Sequence, residues 1–484
     1  MDIKYFISAQ LYDILSVCYE LAHMTICQQI EHLPHFLGKY LKLLYLCGLK
    51  TIRPIVMLIR FTVENYRSIG EEKSLDLCAS NAIKDLVNRG YSTVQDKKYL
   101  NSIAFYGANS SGKTNFLRAI GQMRNIVLHS VRLNDNEPLP YEPFLLSTKE
   151  ARPTKFEVSF IDPEDRAQFE YGFKYNEDSI VEEWLDAKFP RKSKKHLFTR
   201  TGTEIIPDSI FFAEGEKFKD VNLNKNRLFL SLVGQLGGEI SNRVIEWFRT
   251  KVIVLSGIND SNYYKRTSRN IYESSEYREG VLDLIRQMNF GFEDIKAEKV
   301  DMSNMTFPQE LPAEIIAKIK NETYIEISTV HNVYDEDGNI ATTRQFELEG
   351  NESAGTNKFF NLAGHMYESL KDGRCLCIDE LDSQMHPLIS WKIVEMFNNT
   401  YINTSGAQLI FTTHDTHLLS KELFRRDQII FIEKDKKESS DLYTMLDAKQ
   451  HLNHSPRTDS NYQKNYIQGR YGAIPFPTND VPEE

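Results

Sequence analysis

Eight consecutive residues, Gly107 to Thr114 (GANSSGKT), have the types and spacing to hold a phosphate chain. They fit G-x-x-x-x-G-K-[ST] at every fixed position, the pattern whose backbone N–H groups cradle phosphates. In that reading Gly107, Asn109, Ser110, Ser111, Gly112 and Asn115 line the cradle. Lys113 reaches the β- and γ-phosphates, and the Thr114 hydroxyl sits on Mg²⁺. The ligand chemistry is therefore that of ATP with Mg²⁺. The motif needs a strand before it and a helix after it. The apolar run 102–106 supplies the first, and Phe116, Leu117, Ile120, Met123, Ile126 and Val127, at helical spacing, supply the second.

A second cluster lies far downstream. The run Arg374 to Glu380 (RCLCIDE) predicts a buried strand that carries two acids to its tip. Open α/β sheets bind ligands at such tips. Asp379 then joins Thr114 as a metal residue, and Glu380 polarises the attacking water as general base. A further strand, 408–412, ends at Thr413-His414-Asp415, where His414 can bond the γ-phosphate or the water. His414 and His417 also permit a metal-ligand reading, but acid partners at suitable spacing are missing. Upstream, Ser353 and Gly355 sit where a helix N-terminus, with a helix over 358–370, can meet phosphate.

These residues need a scaffold. The chain has 484 residues with 41% hydrophobic and 26% charged, ordinary globular values, so two or three domains are expected. A net charge of −10 argues against a bulk polycationic nucleic-acid binder. The one basic stretch, Lys188 to Arg200, is expected to be a solvated loop. Six scattered cysteines lack zinc-ligand spacing, and Cys375 and Cys377 are expected to be buried thiols, which suits a reducing cytoplasm. No run is long and apolar enough to span a membrane, and the first twenty residues lack a secretory charge arrangement.

Four segments are expected: an appended helical piece over 1–56, a first α/β lobe over 57–185, a mixed insertion over 186–322, and a second lobe over 323–484. Strands are predicted for KFEVSFI and FEYGFKY within 155–175. Helices are predicted at 240–250 and 280–288, and the polar stretch 259–277 is expected to be a mobile loop. Two alternating runs, 324–333 and 340–348, predict a hairpin turning at Asp337-Gly338, a better account of DEDGN than a calcium loop.

Taken together, the motifs resemble the ABC-type ATPases of the SMC/RecF/OLD group. The matching residues are Asn65-Tyr66-Arg67-Ser68, Asn109 in the phosphate loop, Ser353-Ala354-Gly355 as signature, Asp379-Glu380 followed by His386-Pro387, and His414. RLFLS (227–231), ESAGT (352–356) and GRYGAIPF (469–476) are more closely similar to bacterial RloA/AbiL-like anti-phage ATPases, including the PARIS ATPase subunit. Two departures stand out: Ser110 replaces the usual glycine, and the signature reads ESAGT in place of the transporter LSGGQ. Tyr141 to Phe144 also occupy the Q-loop place without a glutamine.

The resemblance implies an α/β P-loop NTPase of ABC/SMC-head type with a mixed α+β insertion. It adds Arg67 to the nucleotide-binding residues. It further implies a homodimer or higher oligomer in which nucleotide lies between the P-loop of one copy and the signature of another. OLD-type relatives carry a Toprim nuclease, for which the fifty residues after Lys434 are too few. The expected role is therefore a cytoplasmic defence ATPase that gates a separately encoded nuclease or toxin. The alternatives are a RecF/SMC-like ATPase acting on DNA and a non-enzymatic nucleotide-gated scaffold; the complete chemistry at Glu380 argues against the last.

Overall fold

In the computed structural model the described residues are 55, 57–81, 83, 86, 89–148, 152–256, 261–300, 314, 324–448 and 461–474. They all belong to one compact unit, Pro54–Glu484. Apart from Ile55, the expected helical piece 1–56 lies outside them.

The centre is a six-stranded sheet. Its strands are β5 (Ser102–Tyr106), β11 (Val252–Leu255), β15 (Cys375–Ile378), β16 (Gln408–Thr412), β17 (Ile429–Lys434) and β18 (Ser440–Thr444), in the order β11-β15-β16-β5-β17-β18. All neighbours are parallel except the β17–β18 edge pair. Both faces are covered, which is why these strands read as unbroken apolar runs. Cys375, Cys377, Ile410 and Ile432 point into one core. Leu376, Ile378, Leu409 and Phe411 point into the other.

The first core is closed by a seven-stranded antiparallel sheet and helix α1 (Lys113–His129). That sheet holds β1 (Met57–Glu64), β2 (Lys73–Asp76), β6 (Thr154–Ile161), β7 (Gln168–Tyr175), β8 (Ile180–Lys188), β9 (Lys195–Thr201) and β10 (Glu204–Pro207). Its aromatic face includes Phe156, Phe160, Phe173 and Tyr175, all fully buried. Helices α2 (Phe229–Gln235) and α3 (Glu239–Lys251) add Phe229, Leu230, Trp247 and Phe248 to the same core. Gln408 ties the two sheets together: its side chain accepts from Leu58 N at 2.7 Å and donates to the carbonyls of Leu58 and Leu100, each at 3.0 Å.

Helices α4 (Ser261–Glu273), α5 (Ser275–Met288), α6 (Ala354–Asp372) and α7 (Pro387–Asn398) cover the second face. A small sheet of β12 (Asp294–Val300), β13 (Tyr324–Tyr334) and β14 (Ile340–Glu347) adjoins them, and β3 (Tyr91–Val94) with β4 (Lys97–Leu100) forms a separate ribbon. In the β13–β14 turn Asp335 Oδ1 accepts from the N–H groups of Asp337 and Asn339, so that carboxylate closes the turn.

Three expectations are corrected. The stretch 259–277, taken as a mobile loop, contains α4 and the start of α5. Its buried stripe is Tyr264, Thr267, Ser268 and Ile271, a helical face built mainly from hydroxyl side chains. The boundary at 185/186 falls inside β8, and β11, within the supposed insertion, pairs with β15 in the central sheet. The basic stretch 188–200 is a solvated loop only over 189–194, the exposed turn between β8 and β9, while 195–200 lie in β9. Lys194 pairs with Glu170 and Asp186, each at 2.8 Å, and His196 with Asp186 at 2.6 Å, so part of its charge faces acids.

Candidate nucleotide site

The site forms where three parallel strands end side by side. β16 lies between β5 and β15, with Phe411 opposite Ala104 on one side and Ile378 on the other. The loop after β5, the acids after β15 and the residues after β16 therefore converge at one end of the sheet. They enclose an open cleft of about 450 Å³ lined by residues 109–115, Arg118, Glu380, Thr412 and His414.

Loop geometry explains the residue types. Gly112 has φ 111°, and a Cβ there would fall 2.1 Å from Ser440 Oγ. That serine grips the loop: Ser440 Oγ donates to Ser111 O at 2.6 Å and lies 2.8 Å from the Ser68 hydroxyl, which is free to donate to it. Ser68 in turn accepts from Asn115 Nδ2 at 2.9 Å. The turn after β1 and the edge strand β18 thus fix the start of α1. Ser110 sits at φ 65°, in the left-handed region that its usual glycine would favour.

Lys113 is buried and folds back over its own loop, donating to Gly107 O at 2.9 Å and Ala108 O at 3.0 Å. Burial lowers its pKa, opposed by Asp379, Glu380 and Asp382. Thr114 Oγ1 donates to Asp379 Oδ1 at 3.1 Å. Thr412 Oγ1 donates to the same carboxylate oxygen at 2.6 Å and accepts from Glu380 N at 2.7 Å. Glu380 itself is held at φ 51°. His414 lies on the cleft rim with its N–H 3.3 Å from Asp382 Oδ2. Partial desolvation and the Lys113 charge push its imidazole below the ordinary histidine value.

Arg67, at φ 50°, is paired with Glu142 and borders an adjoining cleft of about 640 Å³ that also reaches Thr114, Arg118, Asp379 and Glu380. Ser353 and Gly355 do not line the P-loop cleft. Ser353 caps α6 by accepting from Thr356 N at 3.1 Å, and this end of the helix is exposed. His417 is paired with Asp415 at 2.9 Å, and among the described residues no group of three or more His, Cys, Asp or Glu is placed to hold a metal.

Sequence reasoning missed Thr412, Arg118 and Lys358. Thr412 had a signal: it is the hydroxyl residue closing the apolar run before His414. Lys358, on α6, is 3% exposed and donates to Glu380 O at 2.9 Å and Ser383 O at 2.6 Å.

The residues fit nucleotide and metal. The Ser111 hydroxyl is buried without a partner inside the loop. Thr114 and Asp379 present adjacent oxygens, and so small a protein ligand set suits Mg²⁺, which keeps several waters.

A P-loop between a central parallel strand and a helix, with an acid pair two strands away and a second antiparallel sheet packed on the helix, defines a P-loop NTPase of the ABC/SMC-head type. The particular family follows from the sequence. Residues 102–420 match the model described as "AAA domain, putative AbiEii toxin, Type IV TA system", and the chain belongs to that family. It is an ATP-hydrolysing enzyme.

Among solved structures the chain is similar to the SMC head domain from Thermotoga maritima. Identity is 11% and the TM-score 0.37, covering 80% of this chain and 98% of that one. It is also similar to the Smc head with an extended coiled coil, bound to a ScpA domain, derived from Pyrococcus furiosus, at 12% identity and TM-score 0.35, covering 81% and 96%. The recombination mediator protein RecF of the RecFOR pathway, in its ATPrS form, matches at 13% identity and TM-score 0.33, covering 81% and 99%. No curated protein matches the sequence. No helix among the described residues is long and apolar enough to cross a membrane.

Proposed function

We propose that the chain is an ATP-gated switch in which two copies enclose Mg·ATP, each supplying its P-loop to one site and Ser353–Gly355 to the other. The bonded set Thr114–Asp379–Thr412–Glu380 carries this reading. Lys113 leaves its own loop carbonyls for the β- and γ-phosphate oxygens, neutralising charge where it develops. Thr114 and Asp379 would hold Mg²⁺, which would supply positive charge to the phosphates. Glu380 accepts a proton from the attacking water as that water's oxygen bonds to the γ-phosphorus and the bridging bond to the β-phosphate breaks, so that ADP leaves with the bond's electron pair and phosphate is released. His414, kept neutral by its depressed pKa, bonds the γ-phosphate or that water. Arg67, Asn109, Ser111 and Asn115 complete the nucleotide contacts, with Ser110 contributing its backbone N–H.

For the client we place DNA first, in a cytoplasmic maintenance role of RecF/SMC kind. Support comes from the order of motifs from Asn65–Ser68 through His414, which is that of such heads. The finer anti-phage resemblance rests on phrases that prove to be partly packing. Leu228, Phe229 and Leu230 of RLFLS are fully buried, as are Tyr471 and Ala473 of GRYGAIPF. Tyr471 O accepts from Tyr443 OH at 2.8 Å, and Ala473 N donates to Glu433 at 2.9 Å, so this tail lies on its own sheet.

The second reading is a defence ATPase that gates a nuclease or toxin partner. The family's description as a putative AbiEii toxin domain favours it. ATP turnover with and without duplex DNA separates the two. Stimulation by DNA supports the first. Turnover indifferent to DNA, with phage protection that requires the neighbouring gene and is lost in Lys113→Ala, supports the second.

A further inference from the structure

The Lys358 side chain has no place in the phosphate chemistry, yet it is buried at the back of the acid pair. A lysine is rarely this buried without a specific partner. Here the ammonium spans two carbonyls of one tight turn, Glu380 O at 2.9 Å and Ser383 O at 2.6 Å. Burial lowers its pKa to about 8, so it remains mostly charged at neutral pH.

That turn is strained at both ends. Glu380 has φ 51° and Gln384 φ 62°, a left-handed conformation that crowds the Cβ of any residue other than glycine. Strain of this kind persists only where surrounding contacts enforce it. Lys358 lies on α6 only five residues after its cap Ser353. The same helix touches the turn a second time: a Cβ on Gly355 would stand 2.9 Å from Gln384 O. The start of α6 and the Glu380 turn are therefore in contact at two points.

We propose that Lys358 is a positioning residue that couples the signature end of α6 to the general base. Any shift of Ser353–Gly355 is carried by a rigid helix to the carbonyls that set the direction of Glu380. This rests on the two-copy reading above. There, nucleotide in one site touches the signature of the second copy, whose Lys358 grips that copy's own Glu380. The contact thus links the two sites of the pair.

The test is steady-state ATP turnover over a range of ATP concentrations for wild type, Lys358→Met and Lys358→Arg, with thermal midpoints. Lys358→Met keeps the stem and removes the charge. Its kcat should fall about 10- to 100-fold, the usual cost of misplacing a catalytic group. Its KM should stay within about twofold of wild type, as for a residue that does not bind the ground state. Cooperativity in ATP should disappear in Lys358→Met, and Lys358→Arg should retain more of both kcat and cooperativity. Wild-type kcat in Lys358→Met overturns the proposal. So does a joint collapse of kcat, KM and thermal midpoint in which Lys358→Arg fares no better. The two-copy reading fails separately, if Glu380→Gln sediments as one copy in ATP. The link between sites would fall with it, while the kcat–KM split still decides whether Lys358 sets the base.

Discussion

The two halves of the site contrast. At the strand tips, Thr114, Asp379, Thr412 and Glu380 are already joined by hydrogen bonds within one copy, beside a Lys113 folded over its own loop. At the start of α6, Ser353 and Ala354 are exposed, and neither Ser353 nor Gly355 lines the P-loop cleft. An acid pair at one strand tip, held by hydrogen bonds from Thr412 of the adjoining strand, is preorganised before ligand arrives. An exposed helix N-terminus offers N–H groups to an anion that must be brought to it. On the two-copy reading proposed above, the first half binds ATP within one copy, and the second acquires its role only when another copy docks.

Breaking the strand-tip half should cost most. Lys113→Ala removes the cation that faces the phosphates, and ATP affinity should fall by roughly 100-fold or more, as for a charge-assisted contact in a partly buried site. Titration with a fluorescent ATP analogue measures this, and near-wild-type affinity would place the phosphates elsewhere. Glu380→Gln comes next. ATP should still bind, while turnover falls by about 100- to 10,000-fold, the range for loss of a general base. Wild-type turnover in that variant would remove Glu380 from the chemistry.

Breaking the helix half should have a different signature. Ser353→Arg should leave ATP affinity within about threefold of wild type, since the residue lies outside its own cleft, yet stop turnover by blocking the neighbour. Mixed with Lys113→Ala, it forms one intact site per heterodimer, and partial turnover should return. Persistent inactivity despite proven co-assembly would count against a shared site.

The same contrast explains how much was legible beforehand. The P-loop, the acid pair and His414 were legible because each is a local run, and the structure brings all three to one end of the central sheet. The parallel α/β core followed, because strands buried on both faces read as apolar runs. Thr412 could not be assigned, since its task arises only from β16 lying between β5 and β15, a pairing over hundreds of residues. Lys358 was passed over because a lysine on a helix is ordinarily a solvated one. Helix α4 was misread because its buried positions 264, 267, 268 and 271 keep helical spacing but carry Tyr, Thr, Ser and Ile. Spacing was the better guide there than polarity.

The smallest effect concerns the departure inside the P-loop. Ser110 is exposed, so a change there loses little packing, and it pays the left-handed penalty at φ 65°. Ser110→Gly removes about 1 kcal/mol of that strain. Glycine also loses more backbone entropy on folding, which takes back roughly 0.5–1 kcal/mol. The two nearly cancel, so the thermal midpoint should move by no more than about 2 °C, given the shift per kcal/mol for a chain of this size. The difference should be seen in binding. A glycine lets the loop reach the nucleotide-bound form without strain, so ATP affinity should be equal or up to about threefold higher, with kcat unchanged. A loss of affinity would show instead that the Ser110 hydroxyl itself contacts nucleotide, and would make this serine a ligand, not a tolerated substitute.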